Sequence, residues 1–140
     1  MFLVRIVYAS TISDDFQAED IDNILEKSRI NNAKKHVTGL LCFNRNFFLQ
    51  CLEGSRTEVN KIYHRILNDS RHNNITLLNY EDITEREFSN WDMAYLPISD
   101  VISPLIIRYS GTKEFNPYKM SGESSHRLMI DLLKYLPKEE

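Results

Sequence analysis

Two polar side chains stand in apolar stretches that are predicted to be strands, and they are the first candidates for chemistry. Gln50 lies between Phe48 and Leu52 on one face of its strand, because alternate residues share a face. Tyr8 ends an alternating apolar stripe near the N-terminus. A buried amide without a partner costs about 1 to 3 kcal/mol, and a buried phenol usually finds a partner. These groups bond either to backbone or buried water within the protein, or to a polar ligand.

Two amides and a guanidinium extend this set. The predicted first helix has an inner stripe at helical spacing, and continuing it by seven residues leads to Asn31 and Asn32. Asn is also common where helices end, so the pair is alternatively a simple helix stop. Arg65 borders the apolar stripe of a second helix, and its alternative role is a surface ion pair with Asp69. Lys27 and other basic residues near the first helix end are interpreted as a solvated basic collar.

Together these side chains describe a slot with apolar walls and a polar rim. Ile24, Phe48 and Ile66 are the candidate walls. Such a slot suits a planar heterocycle whose edges carry carbonyl groups and ring nitrogens. The histidines show no ligand spacing with the two cysteines, so we expect no metal site.

Composition restricts the class of protein. The chain has 140 residues, 42% hydrophobic and 26% charged, which is typical of a single globular domain. Its net charge of -3 and its sequence pI of about 5.8 argue against a nucleic-acid partner. No apolar run is long enough to cross a bilayer, and the first residues do not resemble a signal peptide, so we expect a cytoplasmic protein. Cys42 and Cys51 lie on the two arms of a hairpin but not opposite each other, which favours reduced thiols.

The predicted elements position the candidates around one groove. They are a strand at 2–10, a helix at 18–31, a hairpin across 37–54, a helix at about 55–68, and strands at 75–82 and 91–97. This βαββαββ order predicts an α+β, ferredoxin-like fold, with a five-stranded mixed sheet and two helices on one face. The groove then lies between the helices, above the central strands. Residues 98–140 are predicted to form a C-terminal helical extension, a cap in the same compact unit as residues 1–97. The cap covers either the other side of the sheet or a neighbouring subunit.

At this point the residues carry a family resemblance. The chain resembles the BLUF domains, blue-light sensors that use FAD, and in particular the short PixD-like members. The resemblance spans about residues 2–97. The matching segments are 5–8, 31–32, 38–41, 48–50, 52–54, 63–66, 69–72, Phe88 and 91–93, with a similar tail around 108–110. One departure is Asp92, where many members have Ser.

The resemblance implies a cofactor and a set of residues that hold it. FAD, or FMN in its place, would lie between the two helices without a covalent bond. Tyr8 and Gln50 would bond near one ring edge, and Asn32 would hold the pyrimidine edge, with Asn31 and Arg65 near it. The other residues implied in flavin binding are Ile24, Ser28, Phe48, Ile66, Asp69, Arg71 and His72.

The resemblance also implies a function without catalysis by this chain. Light would rearrange the hydrogen bonds of Tyr8 and Gln50, and Trp91 and Met93 would pass the change on. Which of these two lies near Gln50 stays open. The signal would leave through a homo-oligomer or a response-regulator-like partner protein, with no nucleic acid or membrane involved.

Two rival functions belong to other classes. An acylphosphatase-type enzyme needs an Arg in an anion-binding loop after the first strand, but residues 9–13 contain neither Arg nor Gly. A protein-interaction module without a ligand would leave Gln50, Asn31 and Asn32 unexplained.

Overall fold

The computed structural model describes residues 2–89 and 91–136. The ends of the predicted 1–97 and 98–140 units, Met1 and residues 137–140, lie outside this described part, as does Asn90. The strands are β1 (Leu3–Ile12), β2 (Thr38–Phe43), β3 (Phe47–Ser55), β4 (His72–Asp82) and β5 (Ala94–Pro97). The α-helices are α1 (Ala18–Lys35), α2 (Arg56–Leu67), α3 (Ser103–Ser110) and α4 (Gly122–Leu132), with 3-10 turns at Asp100–Ile102, Pro117–Lys119 and Leu133–Tyr135.

The strands form one mixed sheet in the order β4-β1-β3-β2-β5. β5 runs parallel to β2, and the other neighbours are antiparallel. The predicted α+β five-stranded mixed sheet is confirmed. β4 lies at an edge, as its polar composition predicts. In the central pair, Tyr8 of β1 lies directly opposite Gln50 of β3. Directly paired residues share a face, with Cβ atoms about 4.5–5.5 Å apart.

The sheet is covered on both faces. On one face, α1 and α2 pack on a cluster that includes Ile6, Leu25, Leu52, Val59 and Ile62. On the other face, α3 and α4 pack on the sheet through residues such as Val7, Leu49, Ile106, Leu128 and Met129. Of the two predicted places for the C-terminal helices, they take the other side of their own sheet. Cys42 and Cys51 are buried free thiols in that second cluster.

Three predicted boundaries are wrong. β1 continues to Ile12, and β4 already begins at His72, because Ile12 pairs with His72 beyond a register shift. α1 continues to Lys35 and ends where His36 adopts the left-handed region, with φ of 56°. Asn31 and Asn32 therefore lie inside the last turns of the helix, so the helix-stop interpretation fails.

The last strand is also shorter than predicted. β5 begins at Ala94, so residues 91–93 precede the ladder and do not follow strand alternation. Trp91 packs against the cluster under α3 and α4, whereas Met93 belongs to the cluster under α1 and α2. Alternation along the predicted strand 91–97 places Trp91 and Met93 on one face, and that prediction is therefore wrong.

A buried carboxylate fixes the segment that leads to Met93. Glu53 of β3 is 0% exposed. It accepts hydrogen bonds from the backbone N–H groups of Glu87 (3.0 Å) and Phe88 (2.9 Å). The cationic partner of Glu53 is Arg5, whose Nε lies 3.1 Å from Glu53 Oε2. Arg5 in turn binds Glu81 at 2.7 Å and Glu87 at 2.8 Å. The loop after β4 is thus tied to the middle of the sheet.

Within residues 2–89 and 91–136, no helix is both long enough and apolar enough to cross a membrane.

We expect Glu53→Ala to lower the free energy of unfolding by roughly 3–5 kcal/mol, because it leaves Arg5 buried beside two orphaned backbone donors. Urea unfolding followed by circular dichroism measures the change. The control is Glu26→Ala, an exposed site on α1, which should stay within about 0.5 kcal/mol of the parent protein. Equal stability of the two variants would contradict the structural role of Glu53.

Candidate functional site

A cleft of about 190 Å³ opens between α1 and α2, with the sheet as its floor. Every element from β1 to β4 contributes to its lining, as does Met93 just before β5. The lining residues are Tyr8, Ile24, Lys27, Ser28, Asn31, Asn32, Leu41, Phe48, Gln50, Leu52, Ile62, Arg65, Ile66, Asp69, Arg71, His72 and Met93. All the candidate site residues from the sequence lie here except Trp91.

Tyr8 and Gln50 meet at the floor of the cleft. Both are nearly buried, with 3% and 5% exposure. The Tyr8 hydroxyl donates to Gln50 Oε1, and Gln50 Nε2 donates to Met93 Sδ at 3.4 Å. Gln50 thus has partners at both ends of its amide, and neither is the backbone. Of the two candidates for contact with Gln50, the structure places Met93 there.

The phenol of Tyr8 is held in its protonated form. Burial raises the pKa of Tyr8 well above its usual range, and the charges of Tyr63 and Asp69 raise it further. Since the phenol keeps its proton, it remains a hydrogen-bond donor to Gln50. The bond at the other end of the amide is weaker, because a thioether sulfur is a poor acceptor. The Gln50 amide is therefore held firmly on one side and loosely on the other.

α1 supplies amides to the cleft wall. Asn32 is 3% exposed, and its Nδ2 donates to the carbonyl oxygen of Asp92 at 2.9 Å. That bond orients the side chain and leaves its amide oxygen for another donor. Asn31 is exposed at the rim, and Ser28 lies one turn earlier on the same helix. The helix ends only at its left-handed cap, His36, so both amides lie within its last turns and face the cleft.

A polar cluster closes the end of the cleft near β4. Asp69 pairs with Arg71, with 2.6 Å between Asp69 Oδ2 and Arg71 Nη2, so the alternative pairing of Asp69 with Arg65 is wrong. Hydrogen bonds from Arg71 lower the pKa of Asp69. His72 Nε2 donates to the carbonyl of Ile66 at 2.9 Å. In the neutral ring, Nδ1 is therefore the acceptor for the Ser10 hydroxyl at 2.7 Å.

Sequence reasoning missed four lining residues. Lys27 was assigned to a solvated collar, yet it reaches the rim. Leu52 shares a strand face with Phe48 and Gln50, so strand alternation could have found it. Leu41 lies opposite Gln50 in the β2–β3 register, and Ile62 belongs to the buried stripe of α2. Leu41 and Ile62 could be assigned to the lining only once the three-dimensional structure showed what they pack beside.

The donor set fits a flat ring with polar edges. The walls are aliphatic and aromatic, and the polar groups include amides, which both donate and accept, and guanidinium groups, which only donate. This combination matches the carbonyl and nitrogen edges of an isoalloxazine. Among the described residues, no group of three His, Cys, Asp or Glu side chains could hold a metal ion.

Comparison with known proteins agrees with this geometry. A family model described as sensors of blue light using FAD, BLUF, matches residues 3–94. The blue light- and temperature-regulated antirepressor BluF of Escherichia coli (strain K12) is 35% identical over 91 residues, covering 65% of this chain and 23% of BluF. The photoactivated adenylate cyclase subunit beta of Euglena gracilis is 26% identical, covering 91% of this chain and 16% of that protein. The chain thus spans less than a quarter of the length of these curated relatives.

A solved structure matches over nearly the whole chain. BlsA in its photo-activated state superposes with a TM-score of 0.88 at 28% sequence identity, and the match covers 99% of both chains. The likeness therefore includes α3 and α4 as well as the sheet. Because the family match covers well over half of the 140 residues, the chain belongs to the BLUF family, the sensors of blue light using FAD.

Proposed function

We propose that this protein is a blue-light photoreceptor that holds FAD non-covalently in the cleft between α1 and α2. The observation that carries the proposal is the chain of contacts from Tyr8 through Gln50 to Met93 along the cleft floor. Apolar side chains of the same shape could pack here about as well, so packing alone does not call for this buried polar pair. It suits a ring edge whose hydrogen bonds are to be rearranged. Family membership supports the same conclusion.

Some cleft residues would hold the flavin ring, and others would hold the phosphate-bearing tail of the cofactor. Ile24, Phe48 and Ile66 would contact the faces of the ring, and Asn31 and Asn32 its polar edge.

At the rim, Lys27, Arg65 and Arg71 carry positive charge, with Ser28, Asp69 and His72 beside them. Phosphates favour such a rim through charge-assisted hydrogen bonds. FAD and FMN both carry phosphate on the tail of the same ring, so this rim suits either, and we propose FAD because the matching family model describes sensors that use FAD. We propose residues 1–97 as the flavin-binding unit and residues 98–140 as its cap.

A bound flavin supplies a chromophore for blue light that becomes a strong oxidant when excited. The protein contributes a phenol whose proton already lies on a hydrogen bond to Gln50 Oε1. The carboxamide of Gln50 has a donor end and an acceptor end, so turning or tautomerising it exchanges the two. Met93 Sδ contacts the donor end and responds to the exchange. The protein thereby converts absorption of light into a new pattern of polar contacts without forming a covalent bond to the flavin.

The direct test is an absorption spectrum. We expect the purified protein to be yellow, to release FAD on denaturation, and to show a red-shifted flavin absorption after blue light that reverts in darkness. The shift follows from a changed hydrogen-bond pattern at the ring edge. A colourless protein that also takes up no added FAD would contradict the proposal.

We expect Tyr8→Phe to bind FAD as the parent protein does but to lose the red shift, because it removes the donor to Gln50 and keeps the ring volume. The matched control is Tyr63→Phe, whose ring centroid lies 5.8 Å from that of Tyr8. Tyr63 does not line the cleft, so its variant should keep the red shift. Illumination difference spectra compare the two. A normal shift in Tyr8→Phe would remove the phenol from the mechanism.

We further propose that the signal leaves through contacts between copies of the chain or through a separate partner protein of the response-regulator type in the cytoplasm. The names of the curated relatives, an antirepressor and cyclase subunits, describe outputs of much longer proteins. Those outputs are properties of those proteins, and we propose that the residues described here sense light without catalysis of their own.

We expect the mass of the FAD-loaded protein, alone or mixed with such a partner, to differ between darkness and blue light. The reason is that a changed surface alters which contacts are stable. Light scattering after size-exclusion chromatography measures the mass under both conditions. Masses that are the same in darkness and in light, both for the protein alone and for the mixture, would contradict this route of output.

A further inference from the structure

We propose that Arg29, which lies outside the cleft lining, is a positioning residue that controls how fast the light-adapted state returns to the dark state. This inference rests on the proposed photoreceptor function. Arg29 Nε donates to the main-chain carbonyl of Met93 at 3.1 Å. One turn further along α1, Asn32 Nδ2 donates to the carbonyl of Asp92 at 2.9 Å. Two side chains of one helix thus hold two consecutive carbonyls.

Residues 91–93 depend on such contacts because the sheet ladder does not include them. Pairing of β5 with β2 begins at Ala94, opposite Leu40. Before that point, one main-chain bond holds the segment from the β2 side, from the N–H of Gly39 to the carbonyl of Trp91 at 3.0 Å. The main chain at Met93, whose Sδ accepts from Gln50, is therefore held by a few discrete hydrogen bonds, while its side chain packs in the cluster under α1 and α2. Arg29 makes the one at Met93 itself.

Arg29 makes a second contact that uses the shape of its side chain. Its guanidinium carbon lies 5.5 Å from the centre of the Tyr95 ring, and Tyr95 stacks on Phe43. A planar guanidinium can bond to a carbonyl and lie over an aromatic ring together, which an ammonium group does less well. Arg29 therefore contacts both residues 91–93, which precede the ladder, and the first residues of β5.

Arg29 can be changed without touching the flavin site. Asn32 both lines the cleft and holds Asp92, so a variant at that position alters both functions. Arg29 is absent from the cleft lining and its side chain is largely exposed. Substitution of Arg29 therefore tests the position of Met93 separately from FAD binding.

The expected slowing of dark recovery follows from which end of the Gln50 amide faces Met93 Sδ. In the arrangement observed, the N–H end of the amide faces Met93 Sδ. A turned amide would present its oxygen to the sulfur, so two acceptors would face each other. A sulfur held in place therefore favours the return of the N–H end. When Arg29 is lost, the sulfur is held less well, and the return becomes slower.

The experiment uses the FAD-loaded full chain and follows the decay of the red-shifted absorption after a blue pulse. We expect Arg29→Ala to keep its FAD content and the size of the red shift, and to recover about threefold more slowly, the scale of one partly exposed hydrogen bond. Arg29→Lys keeps a donor without the planar contact, so its rate should lie between those of the parent protein and Arg29→Ala. Lys35→Ala removes another exposed basic residue of α1 and should recover like the parent protein.

The outcomes separate this inference from the function on which it rests. A red shift in the parent protein with unchanged or faster recovery in Arg29→Ala overturns the role of Arg29 and leaves the photoreceptor proposal intact. Equal slowing in Lys35→Ala also overturns it, since helix charge would then be the cause. Loss of FAD from Arg29→Ala overturns it too, because Arg29 would then belong to the flavin site. Absence of a red shift in the parent protein overturns both proposals.

Discussion

The hydrogen bond between Tyr8 and Gln50 depends on the register of two central strands. Both residues are buried, and they lie directly opposite each other in β1 and β3. A slip of one residue in that pairing would move the side chains of the slipped strand to the other face of the sheet. Such a slip would also separate buried Arg5 from Glu53, its ion-pair partner directly opposite on β3. The register that pairs these two charges therefore also places the phenol opposite the amide.

β3 places polar side chains with fixed partners on both faces of the sheet. Gln50 points to the cleft, and Glu53, at odd spacing from it, faces the other way. Glu53 binds the amides of Glu87 and Phe88, a few residues before the segment that brings Met93 back to Gln50. One strand thus positions the amide and also anchors the chain that carries its sulfur partner. On the proposed function, a change in the amide would reach a segment whose other end is fixed by a buried ion pair.

Much of this site could be predicted from residue patterns, and the exceptions have physical reasons. Strand alternation placed Gln50 between apolar neighbours, and helical spacing placed Asn31 and Asn32 towards the cleft. The end of α1 could not be predicted, because its left-handed cap is His36, where Gly is the usual residue. The start of β5 could not be predicted either, since it depends on where β2 stops offering partners. For that reason alternation placed Trp91 and Met93 on one face, although they lie on opposite ones. The partner of Asp69 could not be predicted either. It pairs with Arg71 and not with Arg65, because the conformation of the loop brings Arg71 next to it.

A light switch needs two arrangements that differ by only a few kcal/mol, and the partners of Gln50 provide this. A charged or strongly bonded partner at both ends of the amide would lock one orientation. Here the phenol, whose pKa burial raises, is a good donor, while the thioether is a weak acceptor. The energy difference between orientations is therefore set largely at the Met93 end. That end is held from α1 by Arg29 and Asn32 and from β2 by one bond to the Trp91 carbonyl. On our proposal, the helix that lines the cleft therefore also determines how firmly the switch returns.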